Sequence, residues 1–286
     1  MMRTGNFKGF EVAIHDPGIV VITFNQPERL NGTTQGMKRD LVETLIQVQM
    51  DDGVRVVVFT GSGRAFCAGD DLKGGDPEGD SLTEPIFHGH HTPMGTYDGL
   101  RALSQPLNTS IRNLDKLTIA GINGVAIQTG LSLALSCDFR IASTEARLGS
   151  ATLRFGLLPD EGGQALLIQT IGLPKTMDFL MRKKIVGATE AAEMDMVHEV
   201  VEPERLMPRT MELAKELAEG PQVAMRMLKR SIYNAIDLSF EQALDEIASK
   251  TAVTDHHPDA REGIVAFQKK TNPEFNKDMP AREATV

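Results

Sequence analysis

The chain has 286 residues, of which 41% are hydrophobic and 24% are charged, a balance typical of globular proteins. Its formal net charge of -9 makes nucleic acid and anionic membrane surfaces poor partners. No apolar stretch is as long as a membrane span, and residues 1–9 lack the apolar centre of a secretory signal, so we expect a cytoplasmic protein. The two cysteines, Cys67 and Cys137, lie in apolar segments, which indicates buried thiols in a reducing compartment.

The N-terminal third is predicted to alternate strands and a helix. Residues 11–14 and 19–24 are predicted strands joined by the turn at Asp16-Pro17-Gly18. Apolar residues at helical spacing predict a helix over 34–50. The β-branched run at 54–60 predicts a strand that is buried on both faces. This order of elements indicates an α/β fold.

Two glycine-rich segments, 65–72 and 121–130, each follow a predicted buried strand and each precede a predicted helix. A loop at such a junction directs free backbone N–H groups outward, and the helix N-terminus adds partial positive charge. We therefore expect the two loops to face each other and to bind one oxyanion from both sides.

Residues 73–97 separate the two glycine-rich segments and are rich in Gly, Pro, Asp and His, which predicts a long loop over a site. Its histidines, His88, His90 and His91, could bind zinc or copper. A solvated glycine-rich loop is the favoured interpretation, so no metal site is predicted.

The rest of the chain becomes progressively helical. After a helix at 99–114 and a strand at 117–122, a helix at 131–135 and strands at 138–142 and 146–149 are predicted. Helices follow at 162–171 and 174–181, and then at 203–219, 221–236, 239–254 and 258–269. We predict a core at 1–200 and a helical region at 201–286 that buries an interface between subunits.

Five segments, in this order, resemble the crotonase superfamily, which is also called the enoyl-CoA hydratase/isomerase family. They are ITFNQPERLN at 22–31, VVVFTGSGRAFCAGDDL at 56–72, AGINGVAIQTGLSLALSCDFRIAS at 120–143, LRFGLLPDEGGQALL at 153–167 and REGIVAFQKKTNPEF at 261–275. The resemblance implies a spiral of ββα repeats with a C-terminal helical region. It also implies an acyl-CoA thioester substrate, no separate cofactor, and a homotrimer or dimer of trimers.

The resemblance also implies roles for individual residues. The backbone N–H groups of Asp70 and Thr129 match the two donors that polarise the thioester carbonyl in the family. Coenzyme A and the acyl group are expected to contact residues matching the family's substrate-binding segments. These are Arg29, Arg64, Ala68, Asp71, Leu72, Lys73, Gln128, Gly130, Ser132 and Thr152, together with Phe267 and Lys270, which often reach CoA from a neighbouring subunit.

The chain departs from the hydratases of the family at both catalytic carboxylates. Ser132 and Thr152 stand where those enzymes have glutamates that deliver water, and an isolated hydroxyl is a poor base at neutral pH. Gln128-Thr129-Gly130 also replaces three glycines of the family's second loop, which can change the room for the thioester.

Asp160, with Glu161 beside it, is the candidate replacement for the missing carboxylates. Isomerase branches of the family have an acidic residue at the position of Asp160, and one carboxylate can move a proton between two carbons. The alternative is that Asp160 caps the helix that follows it. We predict an enoyl-CoA isomerase. A hydratase with a different acid/base, a thioester or β-diketone hydrolase, and a catalytically silent acyl-CoA-binding protein remain alternatives.

Overall fold

The computed structural model describes residues 2–71 and 92–280. The strands within these ranges are β1 (Gly5–Asn6), β2 (Phe10–His15), β3 (Ile19–Phe24), β4 (Val56–Gly61), β5 (Ala65–Cys67), β6 (Leu117–Ile122), β7 (Val125–Ile127), β8 (Phe139–Ser143), β9 (Arg147–Gly149), β10 (Ile185–Gly187) and β11 (Glu199–Val201). They form a seven-stranded sheet in the order β1-β2-β3-β4-β6-β8-β11 and a four-stranded sheet in the order β10-β9-β7-β5.

Ten α-helices lie in the same described residues. They are α1 (Gln35–Met50), α2 (Pro93–Gly99), α3 (Gln105–Asn113), α4 (Thr129–Ser136), α5 (Gly163–Met181), α6 (Ala188–Glu193), α7 (Leu206–Glu219), α8 (Gln222–Asn234), α9 (Phe240–Asp255) and α10 (Pro258–Lys269). None of these helices combines the length and the apolar character that crossing a bilayer would require.

Three successive ββα units build the central part of the fold. Each unit places its first strand in the larger sheet and its second in the smaller sheet, and then continues into a helix: β4, β5 and α3, then β6, β7 and α4, then β8, β9 and α5. The first strands β4, β6 and β8 pair in parallel, and so do the second strands β5, β7 and β9. The predicted α/β spiral of ββα repeats, followed by a helical C-terminal region, is confirmed.

The central strands of the larger sheet are buried on both faces. In β3 and β4, Val20 and Val57 point into the main core, whereas Ile19 and Val56 pack on the opposite face. That second face is covered by apolar residues of α7, including Leu217. A strand enclosed in this way has no polar side, which explains the uninterrupted apolar run of β4 in the sequence.

The longer elements confirm the sequence predictions within two residues at the hairpin of β2 and β3, helix α1, strand β4 and helices α8, α9 and α10. Helix α7 begins three residues after its predicted start at 203, because Pro203–Arg205 form a separate 3₁₀ turn. The two helices predicted at 162–171 and 174–181 are the two segments of α5, which is broken between them because Gly172 adopts a φ of 76° and a ψ of 164°. The division at residue 200 stays a prediction.

The predicted loop at 73–97 lies mostly outside the described residues. The prediction is wrong for the last residues of this range, because Pro93–Gly99 is helical. Thr92 caps this helix by accepting a hydrogen bond from the backbone N–H of Gly95 at 3.1 Å, and a proline in the first turn loses no helical hydrogen bond.

Candidate active site

The first glycine-rich loop follows β5 and turns at Gly69, whose φ of 100° is a conformation that glycine adopts without steric cost. The backbone of Thr33 anchors the loop, because its N–H donates to the Gly69 carbonyl at 2.9 Å and its carbonyl accepts from the N–H of Asp71 at 3.0 Å. These bonds use the residues on either side of Asp70. The N–H of Asp70 therefore points away from Thr33, and it has no acceptor among the described residues.

The second glycine-rich segment is a short strand, β7, followed by the start of α4. Between them Gln128 has a φ of 50° and a ψ of -108°, and its N–H donates to the Gly149 carbonyl of β9 at 3.0 Å. Thr129 is the first residue of α4, so its backbone N–H has no acceptor within the helix. Both loops thus present one backbone donor that is not used for secondary structure.

The two loops lie directly against each other. A methyl group added at Gly130 would be 2.0 Å from the carbonyl oxygen of Cys67, and one added at Gly69 would be 3.2 Å from that of Ile127. At the same contact the hydroxyl of Thr129 lies 2.7 Å from the Asp70 carboxylate. The close approach explains why glycine is needed at position 130.

A line of four polar side chains crosses this contact. Lys38 of α1 donates to the Asp70 carboxylate at 2.8 Å, and the Thr129 hydroxyl lies between Asp70 and Glu161, 2.7 Å from Asp70 Oδ1 and 2.5 Å from Glu161 Oε1. The side chains of Lys38 and Glu161 are almost fully buried, whereas that of Asp70 is 48% exposed. Thr33 adds a further hydrogen bond to Asp70 at 2.9 Å.

The two carboxyl groups of this line have opposite pKa shifts. Burial raises the pKa of Glu161 to about 7 and the Asp70 charge acts in the same direction, although Lys38 and the Thr129 hydroxyl favour the ionised form. Burial also opposes ionisation of Asp70, but the Lys38 charge and hydrogen bonds from Lys38, Thr129 and Thr33 outweigh it and hold its pKa below the usual value. Asp70 therefore ionises at a lower pH than Glu161 does.

Asp160 lies in the turn before α5, and its side chain remains exposed to solvent. Partial desolvation raises its pKa, and so does the Asp70 charge, whereas its own backbone N–H and Lys38 favour the ionised form. The helix-capping alternative is wrong, because α5 has Gly162 at its N-cap and no side-chain cap. The turn is held from α3, where Gln105 and Asn108 donate to the carbonyls of Asp160 and Glu161 at 3.2 and 3.1 Å.

Ser132 and Thr152 flank the same region. Ser132 is buried in α4, and its hydroxyl faces the start of α5, 2.7 Å from where a methyl group on Gly163 would lie. Thr152 begins a 3₁₀ turn, and its hydroxyl is 3.4 Å from the side-chain oxygen of Gln128. The amide nitrogen of Gln128 lies 3.5 Å from Glu161. Ser132 and Thr152 therefore both lie close to the segment that carries Asp160 and Glu161.

The other predicted substrate-binding residues do not form a single cluster with the two loops. Arg29 forms an ion pair with Asp71, Arg64 is exposed between β4 and β5, and the N–H of Ala68 donates to the Leu30 carbonyl. Phe267 and Lys270 are exposed at the end of α10, and no hydrogen bond or ion pair joins their side chains to either loop in the part of the chain described. Leu72, Lys73 and the three histidines at 88–91 lie outside the described residues.

Lys38 was not predicted from the sequence, although a signal for it exists. It lies on the same face of α1 as Leu41 and Leu45, and all three are buried. A lysine on the apolar stripe of an amphipathic helix must meet a buried counter-charge, because an unpaired buried ammonium is costly. The apolar stripe alone does not predict which carboxylate Lys38 contacts.

The two cysteines lie in the core and add no reactive thiolate to the site. Cys67 and Cys137 are buried free thiols, and burial raises the pKa of each to about 12, so both stay neutral at physiological pH. Within residues 2–71 and 92–280, no three His, Cys, Asp or Glu side chains are arranged to hold a metal ion.

Comparisons with known proteins identify the family of the chain. The family model for enoyl-CoA hydratase/isomerase matches residues 15–278. The 1,2-epoxyphenylacetyl-CoA isomerase of Escherichia coli K12 is 33% identical over 260 residues, which covers 91% of this chain and 95% of the relative. A protein of Rhodobacter capsulatus described as a probable enoyl-CoA hydratase is 32% identical over 258 residues, covering 90% and 94%.

Solved structures give the same result. The crystal structure of an enoyl-CoA hydratase from Bacillus anthracis superposes with a TM-score of 0.84 at 28% identity, covering 93% of this chain and 98% of that one. With a family model that spans nearly the whole sequence, the chain belongs to the enoyl-CoA hydratase/isomerase family, within the crotonase superfamily.

Proposed function

We propose that this protein is an enoyl-CoA isomerase that moves a carbon–carbon double bond along the acyl chain of a CoA thioester. One observation carries the proposal: an exposed carboxyl group, Asp160, lies close enough to Asp70 of the first loop to feel its charge. The resemblance to the family supports it, because Ser132 and Thr152 match the positions that hold glutamates in the hydratases. The charges of Asp70 and Lys38 are near enough to shift the pKa of Asp160, which supports its placement at this site.

The proposed reaction uses the two loops as an oxyanion hole. The backbone N–H groups of Asp70 and Thr129 donate to the thioester oxygen and stabilise the negative charge that forms there. Ionised Asp160 takes a proton from C2 of a 3-enoyl thioester, which breaks the C–H bond and forms a dienolate. The same carboxyl group then returns its proton to C4, so that the double bond lies between C2 and C3 and the carboxylate is regenerated.

Binding of the CoA part is proposed for three basic residues of the segments that resemble the family. Arg29, Arg64 and Lys73 match the family segments that contact its phosphates and adenine, and guanidinium and ammonium groups suit phosphate recognition. Ala68, Asp71, Leu72, Gln128 and Gly130 would line the thioester. Coenzyme A enters as part of the substrate, and no separate cofactor is proposed. The cytoplasm stays the predicted compartment.

The test is to incubate the purified protein with 3-enoyl-CoA thioesters of several chain lengths and to identify the product by mass spectrometry and ultraviolet absorbance. An isomerase gives a product of unchanged mass whose double bond is conjugated with the thioester carbonyl. Addition of water to a 2-enoyl-CoA would instead identify a hydratase, and release of free CoA a hydrolase. Tight calorimetric binding of acyl-CoA without any product would identify a silent binding protein.

We further propose that the protein is a homotrimer or a dimer of trimers. Large apolar side chains lie exposed on α5 and on α8–α10, among them Met177, Met181, Ile232 and Phe267, and the proposed contacts between subunits would cover them. Phe267 and Lys270 would then reach the CoA of a neighbouring subunit. Light scattering should give a mass three or six times that of one chain, whereas a monomeric mass at micromolar concentration contradicts the assembly.

A further inference from the structure

The hydroxyl of Thr129 has two carboxyl neighbours but only one proton to donate. Its oxygen lies 2.7 Å from Asp70 Oδ1 and 2.5 Å from Glu161 Oε1, both within hydrogen-bond distance. If both carboxyl groups were ionised, one of these contacts would join two acceptors and would be repulsive. One of the two carboxyl groups must therefore carry a proton and donate it to the hydroxyl oxygen.

The other contacts decide which carboxyl group is protonated. Asp70 accepts from the ammonium of Lys38 at 2.8 Å and from the hydroxyl of Thr33 at 2.9 Å, so that its oxygens face donors. Glu161 lies 3.8 Å from Lys38 and 3.5 Å from the amide nitrogen of Gln128, and its side chain is 2% exposed. Glu161 is thus the neutral partner, and the order of donation is Glu161 to Thr129 to Asp70.

We propose that Glu161 is a neutral positioning residue that ties the two loops together through Thr129 and Asp70, and that it is not the group that removes the substrate proton. The proposal rests on the proposed function, because Asp70 and Thr129 are also the residues whose backbone N–H groups would bind the thioester oxygen. Because the side chains of Asp70 and Thr129 are joined in one hydrogen-bonded line, that line sets the distance between their two backbone N–H groups.

The line depends on the proton of Glu161. Loss of that proton leaves Thr129 with two anionic neighbours and one proton to share between them. One of its two carboxyl contacts then becomes repulsive, and negative charge is added beside the forming oxyanion. The thiol of Cys67 in β5 lies near Glu161 and is neutral. The charged groups that act on Glu161 from the surrounding described elements are Asp70 after β5, Lys38 on α1 and Asp160 in its own turn. Their combined effect, with burial, gives Glu161 a pKa of about 7.

The test compares Glu161→Gln with Glu161→Leu and Thr129→Val. Glutamine keeps a donor towards Thr129 and cannot ionise, whereas the other two variants break the line. We expect the kcat of the wild-type enzyme to fall as the pH rises through about 7. The glutamine variant should keep kcat within about threefold of wild type at pH 6 and lose the alkaline fall. Each line-breaking variant should lose about tenfold or more in kcat, with little further loss when the two are combined.

A substrate-free measurement separates this inference from the proposed function. Carbon-13 NMR of protein labelled at glutamate carboxyl carbons should show one group that titrates near pH 7 and that disappears in Glu161→Gln. An ordinary carboxyl titration for Glu161 overturns the inference whether or not turnover is found. Loss of activity at every pH in Glu161→Gln, as large as that in Asp160→Asn, would make Glu161 a proton carrier and overturn its positioning role. If no substrate is turned over, the proposed function fails while the titration still decides the state of Glu161.

Discussion

Replacement of Asp160 by asparagine is expected to reduce kcat for double-bond migration by about 10²–10⁴-fold, which is the usual contribution of a positioned acid/base. The amide has nearly the same shape but cannot take the proton from C2 or return it to C4. Because Asp160 lies in the turn before α5 and caps no helix, the fold should be unaffected. Turnover of a 3-enoyl-CoA measures kcat, and calorimetry with a saturated acyl-CoA measures the dissociation constant, which should stay within about threefold of wild type.

The matched control for this experiment is Asp237→Asn, which makes the same chemical change at an exposed aspartate in the C-terminal helical region. It should leave both kcat and the dissociation constant near their wild-type values. Full turnover by Asp160→Asn would refute the role of Asp160. Loss of acyl-CoA binding together with turnover would show that the side chain binds substrate rather than moving a proton.

Replacement of Asp138 by alanine is expected to lower the free energy of unfolding by about 3–5 kcal/mol. Asp138 accepts from Lys229 and Tyr233 of α8 at 2.8 and 2.7 Å and from the backbone N–H of Thr118 in β6 at 2.7 Å. Lys229 is only 5% exposed, so the substitution leaves its ammonium buried without a counter-charge. Urea denaturation followed by circular dichroism measures the loss.

A second variant separates the charge from the packing. In Asp138→Ala with Lys229→Met the buried ammonium is removed as well, and the double variant should regain part of the stability lost in the single variant. Glu204→Ala, at an exposed position before α7, is the surface control and should change stability by less than about 0.5 kcal/mol. A loss below about 1 kcal/mol in Asp138→Ala would contradict the importance of this contact.

The long helices and strands could be predicted from the sequence, whereas the short strands could not. Strands such as β4 and helices such as α1 contain enough residues for their periodicity to be read, and both are confirmed. The three-residue strands β5 and β7 lie inside segments that were predicted only as glycine-rich loops. Such strands are set by pairing with each other across 60 residues, which no local pattern records.

The residues of the candidate site could likewise be predicted only in part. The sequence places Asp70, Thr129 and Asp160 through the segments that resemble the family, and the structure brings the two loops together as expected. The role of Lys38 and the burial of Glu161 were not predictable, because they depend on side chains from four separated segments meeting at one point. Two neighbours in sequence, Asp160 and Glu161, differ in exposure, and only the fold makes that difference.

The break in α5 has a consequence for how this protein can diverge from its relatives. Gly172 has backbone angles that residues other than glycine rarely adopt, and it separates α5 into two segments. The first segment follows directly on the acidic turn, and the second carries the exposed side chains of Leu173, Met177 and Met181. The exposed surface of the second segment can therefore change through mutation while the first segment keeps its fit to the acidic turn.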